Sequence, residues 1–368
     1  MNTEVASHRE NNFDFVRCLA AFLVIWGHSA ALLELPVTSM WGVSISEIGV
    51  MIFFSVSGYL ITESWQRDPR LLPFFLKRGL RIFPALIGCV IVSACIIGPV
   101  ATELPWPTYF SHPGFVDYFK NIALLPRYSL PGVFEANAYK YAVNGSLWTL
   151  PVEFFCYCSV AALALGRGRL SLTRAVSLAT MLVCAGDVYF SHFYRGPPII
   201  VLDTSAAPSV SIMPFFFIGS MFCALKFRIS FRIDVAVTIA SIMFVIGYRW
   251  PQILLCSSWL ALPYITLTFC LHPLPVLRKW GRFGDFSYGI YLYAFPVQQL
   301  LIQFFRNDIS FGMLALLATF SSVALAWCSW HLIERPALML KPGRTPKLVA
   351  AISRAQPPAA VTGYNIPR

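Results

Sequence analysis

Apolar residues gather in stretches of about twenty along the chain, separated by short polar segments, and a bilayer-spanning helix needs roughly 20 mostly apolar residues. Ten such stretches occur, so the pattern predicts spans at about 12–33, 45–65, 82–101, 145–165, 171–191, 209–226, 231–248, 251–271, 285–305 and 311–333. Two connections are longer than the rest, 102–144 and 192–208, and both are rich in Pro and aromatic residues. Phe115 to Leu125 carries helical apolar spacing and is expected to lie flat at the membrane surface. Residues 1–340 then form one membrane domain, and 341–368, with its Pro, Gly, Arg and Ser, reads as a flexible cytoplasmic tail. No internal repeat stands out. The start of the chain does not read as a cleaved leader, because its first apolar run is too long and no small-residue cleavage site follows.

Composition supports the same picture. The chain has 368 residues, 57% of them hydrophobic and 12% charged. Its mean hydropathy is +0.65. Soluble domains carry about 25% charged residues, so this chain lacks the polar surface of a soluble protein. With 31 Phe, 15 Tyr and 10 Trp it holds too much apolar area to remain unfolded in water. The ten Cys lie mostly inside apolar runs and read as small buried hydrophobes, which excludes a disulfide scaffold. The net charge of +11 is explained by topology and requires no nucleic acid. With residue 1 inside and ten spans, only Lys120, Arg127, Lys140, Arg195, Arg249 and Arg306 of the 28 basic residues fall outside, as expected if basic loops stay cytoplasmic. The fold class is therefore an all-α integral membrane protein of about ten transmembrane helices, with both termini cytoplasmic.

Ionisable groups inside spans are costly and mark function by default. His28, in LVIWGHS, lies toward the outer end of span one and suits proton transfer near neutral pH, or a hydrogen bond between helices. Arg17 precedes it by eleven residues, about three turns, and shares its face. Asp14 lies close to that face and favours the positive helix N-terminus. Glu153 sits near mid-depth in span four, after Pro151. Its partner is left open among His28, Arg17 and a substrate hydroxyl, with a structural ion pair as the plainer alternative. Arg78 and Arg81, in the loop before span three with Lys77 beside them, share a face at i, i+3 and suit either lipid headgroups or a pyrophosphate. His331 reads as a helix-packing hydrogen bonder, and Glu334 with Arg335 as structural or belonging to a cytoplasmic mouth. Ser55–Gly58 (SVSG) lies mid-span and suits close helix approach. There is no metal-ligand spacing and no Gly-rich phosphate loop.

Taken in order, FDFVRCLAAFLVIWGHS, GVMIFFSVSGYLIT, FLKRGLRIFPA, SLWTLPVEFF, FSYGIYLYAFPV and LIERP resemble the membrane-bound acyltransferase-3 family across most of the chain. The resemblance implies ten core helices in the inner membrane and transfer of an acyl group, usually acetyl, from cytoplasmic acetyl-CoA without a metal. The implied acceptor is a hydroxyl of a polysaccharide, a lipid-linked oligosaccharide or a secreted glycolipid such as a lipo-chitooligosaccharide. It also implies catalytic roles for His28 and Glu153, and donor binding by Arg78, Arg81 and Arg17, with Asp14 in support. Two positions depart from the family pattern: Met51, where an acidic residue is common, and Tyr293–Ala294, where a His or Trp–His pair is common. A proton-coupled transporter or flippase is the rival reading, since ten helices with buried His, Glu and Arg suit it too.

Overall fold

The computed structural model describes residues 11–40, 42–250, 254–272, 274–282 and 284–341. The expected tail falls outside the described residues, apart from Lys341. Among the described residues ten long helices follow one another: α1 (Phe13–Leu32), α2 (Ile45–Arg67), α3 (Leu71–Val92), α4 (Thr149–Gly166), α5 (Leu172–Val188), α6 (Ala206–Ala224), α7 (Ile233–Arg249), α8 (Leu254–Leu271), α9 (Ser287–Phe304) and α10 (Phe311–Ser329). Among the described residues, seven helical stretches are long and apolar enough to cross a membrane: 13–32, 45–67, 71–101, 145–166, 172–193, 206–224 and 311–339. The apolar stretches of α7 and α8 are shorter. α9 carries Gln298, Gln299 and Gln303 because it is largely buried and bonds them internally. Gln298 donates to the Ile25 carbonyl and to Ser29 Oγ, Gln299 to the carbonyls of Tyr139 and Ala142, and Gln303 to that of Ala101.

The packing centres on α2, which lies against α1 and α6. At the α2–α6 crossing a Cβ on Gly58 would fall 1.9 Å from the Phe216 carbonyl oxygen, and one on Gly219 2.2 Å from that of Ser55. Only glycine permits this approach, and Ser220 Oγ donates to the Gly58 carbonyl across it. A buried Asn12 ties the start of α1 to the end of α8, donating from its side chain to the carbonyls of Phe269 and His272. At the opposite end of α1, Ser44 and Glu47 form a capping box that starts α2.

Three local expectations change. α3 begins at Leu71 rather than 82, so Arg78 and Arg81 lie on a helix and not in a loop. An apolar stripe through Phe74, Ile82 and Leu86 is buried and carries the helix outward past its basic residues. The same rod continues to Ala101 through a π-helical turn, Ser93–Ile97. The segment around Phe115–Leu125 is two short turns, Pro113–Asp117 and the 3-10 turn Tyr118–Ala123, with Tyr118 and Asn121 buried, rather than one surface helix. Two small antiparallel hairpins, Ser39–Met40 with Val43–Ser44 and Ile200–Val201 with Thr204–Ser205, sit in connections.

Candidate active site

A cavity of about 300 Å³ opens among α1, α2, α3, α4 and α9 at the end of the bundle that holds Lys77, Asp285 and Lys341. It gathers Arg17, Arg78, Arg81 and Glu153 around one space, from three different helices. Leu60 and Ile61 line it toward the basic end, and Val50 and Thr149 toward the far end. Its length on α2, from Val50 to Ile61, is eleven residues, or roughly 16 Å.

The three arginines are not equivalent. Arg81 donates to Asp285 at 2.6 Å and faces Glu334 at 3.4 Å, and its guanidinium lies over the Tyr288 ring. Arg17 pairs with Asp285 at 2.9 Å and with Asp14. Asp285 is thus the shared counter-ion of two helices, and Ser287 Oγ donates to its second oxygen at 2.6 Å. Gly284, at φ +127°, delivers the chain to Asp285, and a Cβ there would meet Trp330 Nε1 at 2.4 Å. Glu334 is 2% exposed, lies in the π-turn Trp330–Glu334 that ends α10, and accepts from Ser329 Oγ. Arg78 makes only a 3.3 Å bond to Ser64 Oγ and rests over Phe74, and its Nε is buried with no partner. Arg17 Nε is likewise unpartnered. At the mouth, partial burial and then the charges of Arg81 and Arg78 pull the Lys341 ammonium down to about 8. Five basic side chains around one space, with Arg78 held by no carboxylate among the described residues, fit a phosphate-rich ligand.

Glu153 accepts from Ser57 Oγ at 3.0 Å and from the Tyr157 hydroxyl at 2.5 Å. It is paired with neither Arg17 nor His28. The SVSG segment explains the geometry: Gly58 sits in the α6 crossing, which turns Ser57 into the cavity.

His28 is outside the cavity lining. Its neighbour Gly27 abuts Ser46, in the first turn of α2, four residues beyond the Val50 that lines the cavity's far end. His28 therefore lies about one turn past that end. Its ring stands edge-on to Phe295 at 5.4 Å, and its buried Nδ1 has no partner. Between the cavity and the far side of the bundle, Thr149 Oγ1 and the Tyr291 hydroxyl meet at 2.7 Å, and Tyr291 donates to the Ser146 carbonyl.

Sequence reasoning singled out the basic residues and Glu153, and missed Asp285, Ser57 and Tyr157. Two arginines facing inward from α1 and α3 demand a carboxylate, and Asp285, alone in FGDFSYG just before α9, answers that demand. His331 bonds the Trp327 carbonyl through Nδ1 and stacks near its ring, within its own helical segment. Among the described residues no cluster suited to a metal ion is present.

The acyltransferase domain model of the acyltransferase-3 family matches residues 10–331. An "O-acetyl transferase" of Shigella phage Sf6 is 30% identical over 353 residues, covering 89% of this chain and 96% of that protein. "Nodulation protein 10" of Rhizobium leguminosarum bv. viciae is 30% identical over 371 residues, covering 92% and 96%. No solved structure matches the chain significantly. This breadth of likeness favours a transferase over a transporter, and the chain belongs to the acyltransferase-3 family as a membrane-embedded O-acyltransferase.

Proposed function

We propose that this enzyme moves an acetyl group from cytoplasmic acetyl-CoA to a hydroxyl of an envelope or secreted saccharide, whether polysaccharide, lipid-linked oligosaccharide or lipo-chitooligosaccharide. In this reading all ten helices cross the inner membrane, both termini are cytoplasmic, and the basic cavity opens inward. The observation that carries it is the cluster of Arg17, Lys77, Arg78, Arg81 and Lys341 around one cavity, with Arg78 bound to no carboxylate among the described residues, at the inner end of a space that runs toward His28. The Sf6 relative is named for O-acetyl transfer, which favours acetyl as the group.

Arg78, with Lys77 and Lys341 beside it, holds the phosphates of the donor; Arg17 and Arg81, fixed by Asp285, shape the wall behind them. The acyl-bearing arm extends past Glu153 toward Thr149. His28 takes the proton from the acceptor hydroxyl, whose oxygen attacks the thioester carbonyl. The carbon–sulfur bond breaks, and His28 returns the proton to the departing thiolate. Glu153, held by Ser57 and Tyr157, positions the arm rather than orienting His28. The test is mass spectrometry of host envelope and secreted glycans with wild type, a deletion and His28→Ala. An acetyl-sized increment found only with wild type supports the reading. Increments that persist in His28→Ala, with the protein in the membrane, reject His28 as the base. Their absence in all three rejects saccharide acetylation.

A further inference from the structure

A second concavity occupies the opposite end of the bundle. It is an open pocket of about 800 Å³, formed where α1 ends, α4 begins and the 102–144 connection folds over them. Tyr128, Tyr139, Tyr141 and Trp148 line it, together with Glu34 and Lys140. Aromatic faces beside one carboxylate and one ammonium are a setting for stacking against sugar rings while bonding their hydroxyls. The two charges balance, so the pocket offers no net attraction to an anion or a cation.

The pocket is built, not incidental. Tyr141 (φ +63°) and Glu34 (φ +54°) both hold left-handed backbone conformations that ordinary side chains disfavour. Around Tyr141 the surroundings fix the loop on both sides. Gln299 of α9 donates to the carbonyls of Tyr139 and Ala142, Asn137 donates back to Gln299, and Asn307 takes the Ala138 amide. The loop is thereby clamped to α9, the helix that carries Phe295.

The pocket also backs onto the chemistry. Trp148 lines it, and the next residue, Thr149, lines the basic cavity. The Phe295 ring packs edge-to-face with both His28 and Tyr139, at centroid separations of 5.4 and 6.3 Å. Gly145, in the pocket wall, leaves room for that ring, since a Cβ there would fall 2.6 Å from it. One aromatic side chain therefore links the candidate base to the pocket lining.

We infer that this pocket is the acceptor subsite, and that it takes the uncharged pyranose end of a glycan, stacked on Tyr139 and Trp148, with Glu34 accepting from sugar hydroxyls. The assignment rests on the reading that the enzyme acetylates a saccharide. The experiment uses membranes carrying the full chain, acetyl-CoA, and two probes in separate arms: the host's lipid-linked oligosaccharide fraction and chitotetraose. Product is counted by mass spectrometry against glycan concentration. Tyr139→Ala and Trp148→Ala are expected to raise the half-saturating glycan concentration roughly tenfold, about the loss of one good stacking contact, and to leave the half-saturating acetyl-CoA concentration unchanged. Tyr139→Phe keeps the ring and stays near wild type. Trp26→Ala, removing an exposed aromatic that packs on Phe311 away from the pocket, changes neither value. If wild type acetylates a probe and the Tyr139 and Trp148 variants saturate as wild type does, the subsite is refuted while the proposed function stands. If wild type acetylates neither probe, an oligosaccharide acceptor is rejected and the subsite with it, while the polysaccharide branch of the proposed function is decided by mass spectrometry of the host glycans.

Discussion

Arg78 and Arg81 share a helix face yet carry opposite loads, and separating them tests the site. Arg81 is held by the buried Glu334 and by Asp285, whose side chain is 15% exposed. Truncating it leaves two carboxylates short of a partner, and breaking a buried pair from one side costs about 3–5 kcal/mol. Arg17 still faces Asp285, so the lower end, about 3 kcal/mol, applies to Arg81→Ala. Arg78 makes one long bond to Ser64 and a distant contact with Phe74. Its removal costs about 1 kcal/mol of stability or less. A charge-assisted bond to phosphate is worth about 1.5–3 kcal/mol, so Arg78→Ala weakens acetyl-CoA binding roughly 10- to 100-fold. The assay pairs calorimetric titration of the purified protein with acetyl-CoA and equilibrium unfolding in mixed detergent micelles. Arg78→Ala must lose affinity and keep stability, while Arg81→Ala must lose stability. Affinity within twofold of wild type in Arg78→Ala, or wild-type stability in Arg81→Ala, refutes the division of labour.

The same unfolding measurement applied to Asp285→Asn should show a loss of about 3 kcal/mol, against less than about 1 kcal/mol for the more exposed Asp14→Asn. Equal losses would remove Asp285 as the shared anchor. Lys341 is charged below about pH 8 and neutral above it, so acetyl-CoA affinity should fall as pH rises from 7 to 9. Lys341→Gln should flatten that profile, and an unchanged slope would take Lys341 out of the donor mouth. Gly58→Ala must push the α2 and α6 backbones apart and should cost about 1–3 kcal/mol in unfolding. Gly79→Ala, whose new Cβ meets nothing nearer than Phe83 at 3.8 Å, should be neutral or slightly stabilising, and like behaviour of the two would refute the tight crossing.

The helices were legible because burial in lipid requires long apolar runs, and each of the ten described helices overlaps a stretch the pattern predicts. Boundaries failed where a second driving force took over. α3 starts at Leu71 because a buried stripe outweighs three basic residues on its other faces. The arginines and Glu153 were legible as costly charges, but their pairing was not. Spacing along one helix says which residues share a face, whereas Asp285 reaches Arg17 and Arg81 only through the packing of α1, α3 and α9. Asp187 shows the same limit. It is buried on α5 and accepts from Ser211 on α6, a contact no single-helix pattern contains.

The two concavities sit back to back, divided by Phe295, His28 and the Thr149–Tyr291 contact. If both hold solvent, the electrical potential across the bilayer falls mainly over that thin partition, where His28 stands. Moving one elementary charge through 100 mV is worth about 2.3 kcal/mol. In the proposed topology the proton that His28 takes from the acceptor and passes to the thiolate moves within that partition, so the step that charges the imidazole would feel a share of the membrane voltage.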